Sequence, residues 1–241
     1  MHMELMVLLP PDSGWEYRLI LEKIVIDVLR RSIDFRLYVI TDRKLCYPRP
    51  LYDVVHDLLD VGVPAIQLRE KDLTDVAFST LAKSIGELCR NYSAQLFINS
   101  RLMVSAELGS HGVHLPGDSL PIPELKVQLG DHVLIGCSVH SLDEARCREK
   151  EGADFVTYSP VYATLTKPGY GPARGLESLS EVVRKVSLPV FALGGISPGR
   201  VSACIRTGAH GVAVMSGVMS SETCIHQGKA YLRELDNIGG Q

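Results

Sequence analysis

The chain has 241 residues, of which 46% are hydrophobic and 22% are charged, and its formal net charge at pH 7 is −3. This size and composition allow one large domain or two small ones with a well-buried core. The near-neutral charge excludes recognition of nucleic acid or of an anionic membrane through bulk positive charge. A small anionic ligand would therefore have to be held by local positive charge.

The predicted cellular setting follows from the cysteines and the apolar runs. The six cysteines show neither a C-x-x-C pair nor a zinc-type spacing, so reduced, buried thiols are expected. No apolar run reaches the ~20 residues that a membrane helix needs. The apolar stretch Met1–Leu9 lacks the basic segment and the small-residue cleavage site of a signal peptide. The sequence predicts a cytoplasmic protein without a membrane or nucleic acid as partner.

Residues 1–35 are predicted to form an N-terminal extension that contains one helix. The stretch Pro10–Gly14 interrupts the chain, and Tyr17–Arg31 then carries apolar residues at helical spacing. These apolar residues are Leu21, Ile24, Val25, Val28 and Leu29. Such a stripe suits contact with the rest of the chain or with a partner, and the sequence leaves a homo-oligomer open.

From Arg36 onward, short apolar runs alternate strictly with amphipathic stretches. The predicted strands are Leu37–Thr41, Ala65–Leu68, Gln95–Asn99, Gly112–Leu115, Val133–Ser138, Phe155–Tyr158, Pro189–Leu193 and Gly211–Met215. The predicted helices are Leu51–Asp60, Thr74–Asn91, Arg101–Leu108, Ile122–Leu129, Leu142–Glu151, Ser178–Val186, Pro198–Thr207 and Cys224–Leu235. Eight strand–helix units predict an α/β (β/α)8 TIM barrel over residues 36–241. The alternative is an open doubly wound sheet, but no G-x-G-x-x-G follows the first strand.

Two glycine-bearing turns end the last two predicted strands. They are Leu193-Gly194-Gly195-Ile196 and Val214-Met215-Ser216-Gly217. Glycine permits a sharp turn, and the turns after the seventh and eighth strands of a barrel commonly bind phosphate near a helix N-terminus. Gly194, Gly195, Ser216 and Gly217 are therefore predicted to anchor a phosphate; the alternative is that they serve only the turns.

Polar residues also follow the second strand, at the end of a barrel where active sites lie. Alternation places Gln67, Arg69 and Lys71 on one side of the chain. Two cations that face inward are costly without an anion, and both side chains suit phosphate. The alternative is an internal ion pair with Glu70, which would leave one cation unmatched.

The third to fifth strands end in four further candidates. Asn99 either donates to a phosphate oxygen or caps the next helix. Ser138 and His140 share a side of the fifth strand, and the following Ser141 is a predicted N-cap. Histidine changes charge near neutral pH, so His140 is a candidate acid–base residue, with a structural histidine as the alternative. Asp118 suits a cap or turn better than a metal ligand.

A long loop, Ser159–Arg174, follows the sixth strand. Its glycine-rich stretch carries Thr164, Thr166 and Lys167, two hydroxyls and a cation. Long loops without secondary structure are usually functional, so these residues are predicted to close over a phosphate as a lid. The alternative is an ordinary exposed loop.

Taken in order, these pieces resemble the thiamin phosphate synthase/TenI superfamily, a (β/α)8 family. The matching pieces are Leu37–Asp42, Gln67–Lys71, Ile98–Asn99, Gly112–Leu115, Gly136–His140, Gly152–Asp154, Thr164–Lys167, Gly194–Ile196 and Gly211–Ser216. The resemblance implies an enzyme of thiamin biosynthesis that binds a thiazole phosphate.

The synthase branch of this superfamily joins a hydroxymethylpyrimidine diphosphate to a thiazole phosphate and requires Mg²⁺. Diphosphate leaves, and the thiazole nitrogen captures the pyrimidine cation. The resemblance would place Gln67, Arg69, Lys71, Asn99, Ser138 and Lys167 on the diphosphate, with Thr164 and Thr166 nearby. It would place Gly195 and Ser216 at the thiazole phosphate.

The chain departs from the synthase pattern at the metal ligands. Ser100 and Ser119 stand where the pattern has two aspartates, and Asp118, one residue away, is only a weak metal candidate. A divalent ion stabilises leaving-group charge by several kcal/mol. The main prediction is therefore the TenI branch, a metal-independent thiazole tautomerase in which His140 moves the proton. Alternatives are thiamin phosphate synthase, with Mg²⁺ and a pyrimidine diphosphate, and a non-catalytic phosphate-ligand-binding or regulatory barrel.

Overall fold

The computed structural model describes residues 33–130, 133–163, 172–219 and 223–239. The strands are β1 Leu37–Ile40, β2 Ala65–Leu68, β3 Gln95–Asn99, β4 Gly112–Leu115, β5 Leu134–Val139, β6 Phe155–Tyr158, β7 Val190–Leu193 and β8 Gly211–Val214. The helices are α1 Leu51–Asp60, α2 Asp75–Asn91, α3 Leu102–Leu108, α4 Ile122–Leu129, α5 Leu142–Glu151, α6 Gly175–Lys185, α7 Pro198–Arg206, α8 Ser216–Met219 and α9 Cys224–Gly239. None of the helices described combines the length and apolar character that a membrane span needs.

Each strand pairs in parallel with the next, and β8 pairs with β1 to close the barrel. The predicted (β/α)8 barrel is therefore confirmed, and the open doubly wound sheet is wrong. The predicted N-terminal extension with its helix stays a prediction, because residues 1–32 lie outside those described.

The predicted element bounds agree with the structure to within one or two residues, with two exceptions. Helix α6 begins at Gly175, three residues before the predicted start, where the Gly175 N–H donates to the Val161 carbonyl. Helix α9 continues to Gly239, four residues past the predicted end, and Ile238 packs against the core. In both cases tertiary contacts extend a helix beyond its clear apolar periodicity.

Both faces of the strands are buried, which explains their continuous apolar sequences. In β1, Leu37 and Val39 belong to the cluster that packs between strands and helices. Tyr38 and Ile40 point the other way and belong to a smaller cluster inside the barrel. Because successive side chains alternate between faces, a strand of this kind must be apolar at every position.

Aromatic rings facing glycines fill the barrel interior. Three phenylalanines pair across neighbouring strands with glycines, and the pairs are Phe97–Gly112, Phe155–Gly136 and Phe191–Gly211. A Cβ atom added at Gly112 would lie 2.7 Å from the Phe97 ring, and one at Gly211 would lie 2.8 Å from the Phe191 ring. The glycines therefore provide the volume that the rings occupy.

Two residues further along the same strands, the interior changes from apolar to polar. Asn99, His114, Ser138 and Thr157 each follow one of these phenylalanines or glycines by two positions. Alternation turns them to the same side of their strands, one step nearer the carboxyl end. The aromatic layer thus underlies a polar layer at the end of the barrel where the strands lead into their helices.

We expect Gly136→Ala to lower the free energy of unfolding by about 1–3 kcal/mol, because overpacking forces side chains and backbone to shift. Its Cβ would collide with the Phe155 ring and would lie 2.7 Å from His114 Nδ1. Gly86→Ala in α2 is the control, since its Cβ would lie 3.5 Å from the nearest atom, in Leu96. Urea denaturation measures both variants; equal losses would contradict this account of the glycine.

Candidate active site

A cavity of about 600 Å³ opens at the carboxyl end of the barrel. It receives most of the predicted site residues, namely Gln67, Arg69, Lys71, Asn99, Asp118, Ser138, His140, Gly194, Gly195, Ser216 and Gly217. Thr164, Thr166 and Lys167 lie outside the described residues. The structure thus brings eleven sequence candidates to one cavity, while their binding roles stay predictions.

The two cations on the β2 side of the cavity have no ion-pair partner among the described side chains. Glu70, the suggested partner, is buried, and its carboxylate lies 3.3 Å from Arg43 and accepts a 2.8 Å hydrogen bond from Thr41. The internal pair of Glu70 with Arg69 or Lys71 is therefore wrong. Both cations remain available for an anion.

The buried carboxylate of Glu70 also fixes the backbone at the end of β2. Thr41, which donates to Glu70, also accepts a 2.9 Å hydrogen bond from the Arg69 backbone N–H. Burial raises the pKa of Glu70, while hydrogen bonds from Thr41 and Arg43 oppose that shift. The Glu70–Thr41 contact therefore fixes the backbone from which the Arg69 guanidinium projects.

Asn99 does not cap the following helix. Its Nδ2 donates to Ser100 Oγ at 2.9 Å, and Arg101 occupies the N-cap position of α3 without a side-chain capping bond. The capping alternative for Asn99 is therefore wrong. Ser100 adopts a left-handed backbone conformation, with φ of 61°, and its N–H donates to the carbonyl of His114.

His140 is held by the loop after β6 and by the start of α5. Its Nδ1 lies 2.8 Å from the Ser159 carbonyl oxygen, and its backbone N–H donates to Glu144 Oε2. A carbonyl oxygen only accepts, so Nδ1 carries a hydrogen, and Nε2 holds the lone pair when the ring is neutral. Ser141 Oγ accepts from the Glu144 N–H, which confirms the predicted N-cap.

The two glycine-bearing turns lie close together at the ends of β7 and β8, and one strand, β1, separates β8 from β2. Gly194 and Gly195 have φ of 96° and 62°, the left-handed region where glycine is favoured. The Tyr231 hydroxyl donates to the Ile196 carbonyl at 2.8 Å, and a Cβ at Gly217 would lie 2.5 Å from that hydroxyl. Tyr231 therefore contacts both turns, which the sequence predicted to share a phosphate.

The carboxylates at the cavity do not form a metal cage. Asp118 is exposed at the rim, and Glu144 accepts the backbone N–H of His140. Over the described ranges, no three His, Cys, Asp or Glu side chains cluster closely enough to hold an ion. Mg²⁺ bound by a protein usually takes one or two carboxylates plus substrate phosphates, and Asp118, which lines the cavity, stays the weak metal candidate that the sequence offered.

Sequence reasoning missed a chain of polar side chains at the base of the cavity, of which Gln67, His114 and Ser138 line the cavity. Gln67 Nε2 donates to the Tyr38 hydroxyl at 3.2 Å, which lies 3.4 Å from His114 Nδ1. His114 Nε2 lies 3.1 Å from Ser138 Oγ and 3.3 Å from Thr157 Oγ1. The signal available in the sequence was His114, which lies between two apolar residues of β4 at a position where alternation predicts an inward-facing side chain.

Burial lowers the pKa of His114 to about 3, and the positive charge of Arg69 adds to the effect. The unfolded chain protonates this ring below about pH 6.5, whereas the folded protein keeps it neutral. We therefore expect the free energy of unfolding to fall as pH drops from about 6.5 to 3, and to fall less in His114→Gln. Urea denaturation at pH 7, 5 and 4 measures both proteins; parallel losses would contradict a buried neutral ring.

Comparison with known proteins finds relatives that match most of the chain. A family model described as thiamine monophosphate synthase matches residues 37–218. The putative thiamine-phosphate synthase 2 of Aquifex aeolicus is 42% identical over 181 residues, covering 75% of this chain and 96% of that protein. The thiamine-phosphate synthase of Syntrophomonas wolfei is 38% identical over 188 residues, covering 78% and 90%. The solved thiamine phosphate pyrophosphorylase from Pyrococcus furiosus superimposes with a TM-score of 0.78 at 33% identity, covering 87% and 98%.

Proposed function

The chain belongs to the thiamine monophosphate synthase family, and from this we propose that it joins a pyrimidine diphosphate to a thiazole phosphate. One observation carries the proposal: the cavity is lined by two separate groups of residues that suit anions. Arg69 and Lys71 follow β2, the glycine turns follow β7 and β8, and the apolar Ile40 of β1 lies between them. The diphosphate of one substrate and the phosphate of the other would each occupy one of these places. The relatives' names likewise favour synthase over tautomerase.

In the proposed reaction, the bond between the pyrimidine methylene carbon and the diphosphate oxygen breaks, and diphosphate leaves with the electron pair. The thiazole nitrogen then supplies the electron pair of the new carbon–nitrogen bond. The residues proposed to stabilise the leaving charge are Gln67, Arg69, Lys71, Asn99 and Ser138, with Thr164, Thr166 and Lys167 by family resemblance. Preorganised donors and cations of this kind stabilise charge as it develops.

The turns after β7 and β8 are proposed to position the second substrate. Gly194, Gly195, Ser216 and Gly217 would hold the thiazole phosphate and so direct the thiazole nitrogen toward the pyrimidine. Fixing two reactants in one orientation removes much of the entropic barrier to their reaction. The apolar side chains Ile40, Leu193, Ile196 and Met215 line the same cavity and suit flat aromatic rings.

Mg²⁺ enters this proposal as part of the diphosphate substrate. A bound divalent ion would neutralise charge on the departing diphosphate. The described residues hold no cluster of three metal-binding side chains, and the residues of this chain that we propose to share the task are Arg69 and Lys71.

The test supplies purified protein with both substrates, with and without Mg²⁺, and measures thiamin phosphate by chromatography. We expect product only when both substrates are present, with a higher rate in Mg²⁺. Absence of product despite calorimetric binding of the thiazole phosphate would overturn the synthase proposal. If the thiazole carboxylate phosphate is not turned over either, that result would support the non-catalytic phosphate-binding barrel instead.

A second candidate is the thiazole tautomerase, which the geometry of His140 favours. With Nδ1 tied to the Ser159 carbonyl, Nε2 is the nitrogen that can take up and return a proton at the cavity. The test offers the thiazole carboxylate phosphate without metal. If the protein is a tautomerase, His140→Ala should abolish the proton shift while phosphate binding persists. Lack of turnover by the wild type, or unchanged turnover in His140→Ala, would reject this candidate.

A further inference from the structure

We propose that Tyr38 and His114 form a positioning pair that makes the Ser138 hydroxyl a hydrogen-bond donor toward the ligand. Neither residue would need to touch the ligand, because the effect passes through Ser138. The inference deepens the proposed function and rests on it for its kinetic test. It starts from the hydrogen-bond chain at the base of the cavity and from the direction in which that chain must run.

The direction is set at Tyr38, whose side chain is fully buried. Its hydroxyl oxygen accepts from Gln67 Nε2 at 3.2 Å. Its own hydrogen also needs an acceptor, since a buried donor without a partner is costly. Within the described residues, the acceptor at hand is His114 Nδ1, at 3.4 Å. We assign the lone pair to Nδ1 on this ground, which puts the hydrogen of the neutral ring on Nε2; the opposite tautomer would instead accept from Thr157 Oγ1.

Two hydroxyl oxygens lie within hydrogen-bond distance of His114 Nε2 and could accept its hydrogen. Ser138 Oγ lies 3.1 Å away and Thr157 Oγ1 lies 3.3 Å away. These residues differ in location, because Thr157 is fully buried whereas Ser138 is half-buried and lines the cavity. Since the Ser138 oxygen accepts from His114, the Ser138 hydrogen is left to donate to a ligand in the cavity.

The charge state of His114 is consistent with this role. Burial lowers the pKa of its ring to about 3, so the ring stays neutral near pH 7. A neutral ring has one hydrogen and one lone pair, and each has a partner here. The pair therefore acts by fixing a hydrogen position, and Ser138 can donate to an anionic oxygen such as that of a leaving diphosphate.

The test is a double-mutant cycle between His114 and Ser138, measured by kcat and KM for thiamin phosphate formation. We expect Ser138→Ala and His114→Leu each to lower kcat roughly 30-fold, as for loss of one hydrogen bond to a charged group, with KM within threefold. The double variant should be no slower than Ser138→Ala alone, because His114 acts through Ser138. Losses that multiply would overturn the inference.

Three further variants separate positioning from support of the fold. Thr157→Val removes the other partner of the same nitrogen and should change kcat less than threefold. His114→Gln offers an amide N–H in place of Nε2–H and should restore at least a third of the wild-type rate. Equal losses in Thr157→Val and His114→Leu would mean that the network serves packing. If His114→Leu does not fold, Tyr38→Phe, which keeps the ring, takes its place in the cycle.

A binding measurement distinguishes failure of this inference from failure of the proposed function. The dissociation constant of inorganic diphosphate is measured by calorimetry for the same four proteins of the cycle. We expect each single variant to weaken binding about tenfold and the double variant to weaken it no further. If the wild type binds diphosphate but forms no thiamin phosphate, the proposed function is wrong and the inference about Ser138 still stands. Independent effects on binding, or no binding by the wild type, would overturn the inference.

Discussion

Replacing both Arg69 and Lys71 by alanine is expected to lower kcat/KM for thiamin phosphate formation by about 10²- to 10⁴-fold. Each side chain can donate a hydrogen bond to an ionised ligand, and such bonds contribute about 1.5–3 kcal/mol apiece. The fold should survive, because neither cation has an ion pair among the described side chains. The Arg69 backbone bond to Thr41 does not depend on the side chain.

Arg101→Ala is the matched control for this double variant. The Arg101 guanidinium lies 2.8 Å from Asp75 Oδ1, donates to the Leu73 carbonyl, and stacks 4.2 Å above the Phe78 ring. Its loss should lower thermal stability while changing kcat/KM less than threefold. Steady-state kinetics and thermal melts measure both effects. If the double variant keeps kcat/KM within tenfold of the wild type, the diphosphate does not bind beside Arg69 and Lys71.

Gly195→Val is expected to raise KM for the thiazole phosphate by at least about 100-fold, the loss of roughly 3 kcal/mol of binding. At this position φ is 62°, which a β-branched residue adopts only at a cost. A Cβ would also lie 2.5 Å from the Ala163 carbonyl oxygen and 2.9 Å from Tyr162 Cβ. The turn must therefore move, and its N–H groups with it.

The control for this variant lies four residues away, at the first turn of α7. Gly199→Ala adds a Cβ that has no atom within 4 Å, so KM should stay within twofold of the wild type. Titration of the thiazole phosphate at saturating pyrimidine diphosphate gives both KM values. An unchanged KM in Gly195→Val would show that the phosphate is held elsewhere.

Much of this site could be predicted because its residues lie at fixed offsets from strand ends. Alternation alone predicts that Gln67, Arg69 and Lys71 share a side, and the structure places all three at one cavity. The pairing of Glu70 with Arg43 could not be predicted from local sequence patterns, because the two residues lie 27 positions apart. They meet only through the parallel pairing of β1 with β2.

The buried polar chain shows the same limit more strongly. Tyr38, His114 and Ser138 come from β1, β4 and β5, and β1 lies across the barrel from the other two strands. Each residue occupies a position where periodicity predicts only an inward-facing side chain. Their hydrogen bonds depend on barrel closure and on ring volumes, which no local pattern in the sequence encodes. The predicted lid residues Thr164, Thr166 and Lys167 stay predictions, as they lie outside the described residues.

The three phenylalanine–glycine pairs also bear on the order in which ligands come and go. Among the described residues, the rings fill the barrel between the cavity and the amino ends of the strands. In the proposed synthase, both substrates and both products would then pass through the opening at the carboxyl end. The ligand that lies deeper would have to bind before its companion and leave after it, so binding and release would follow a fixed order.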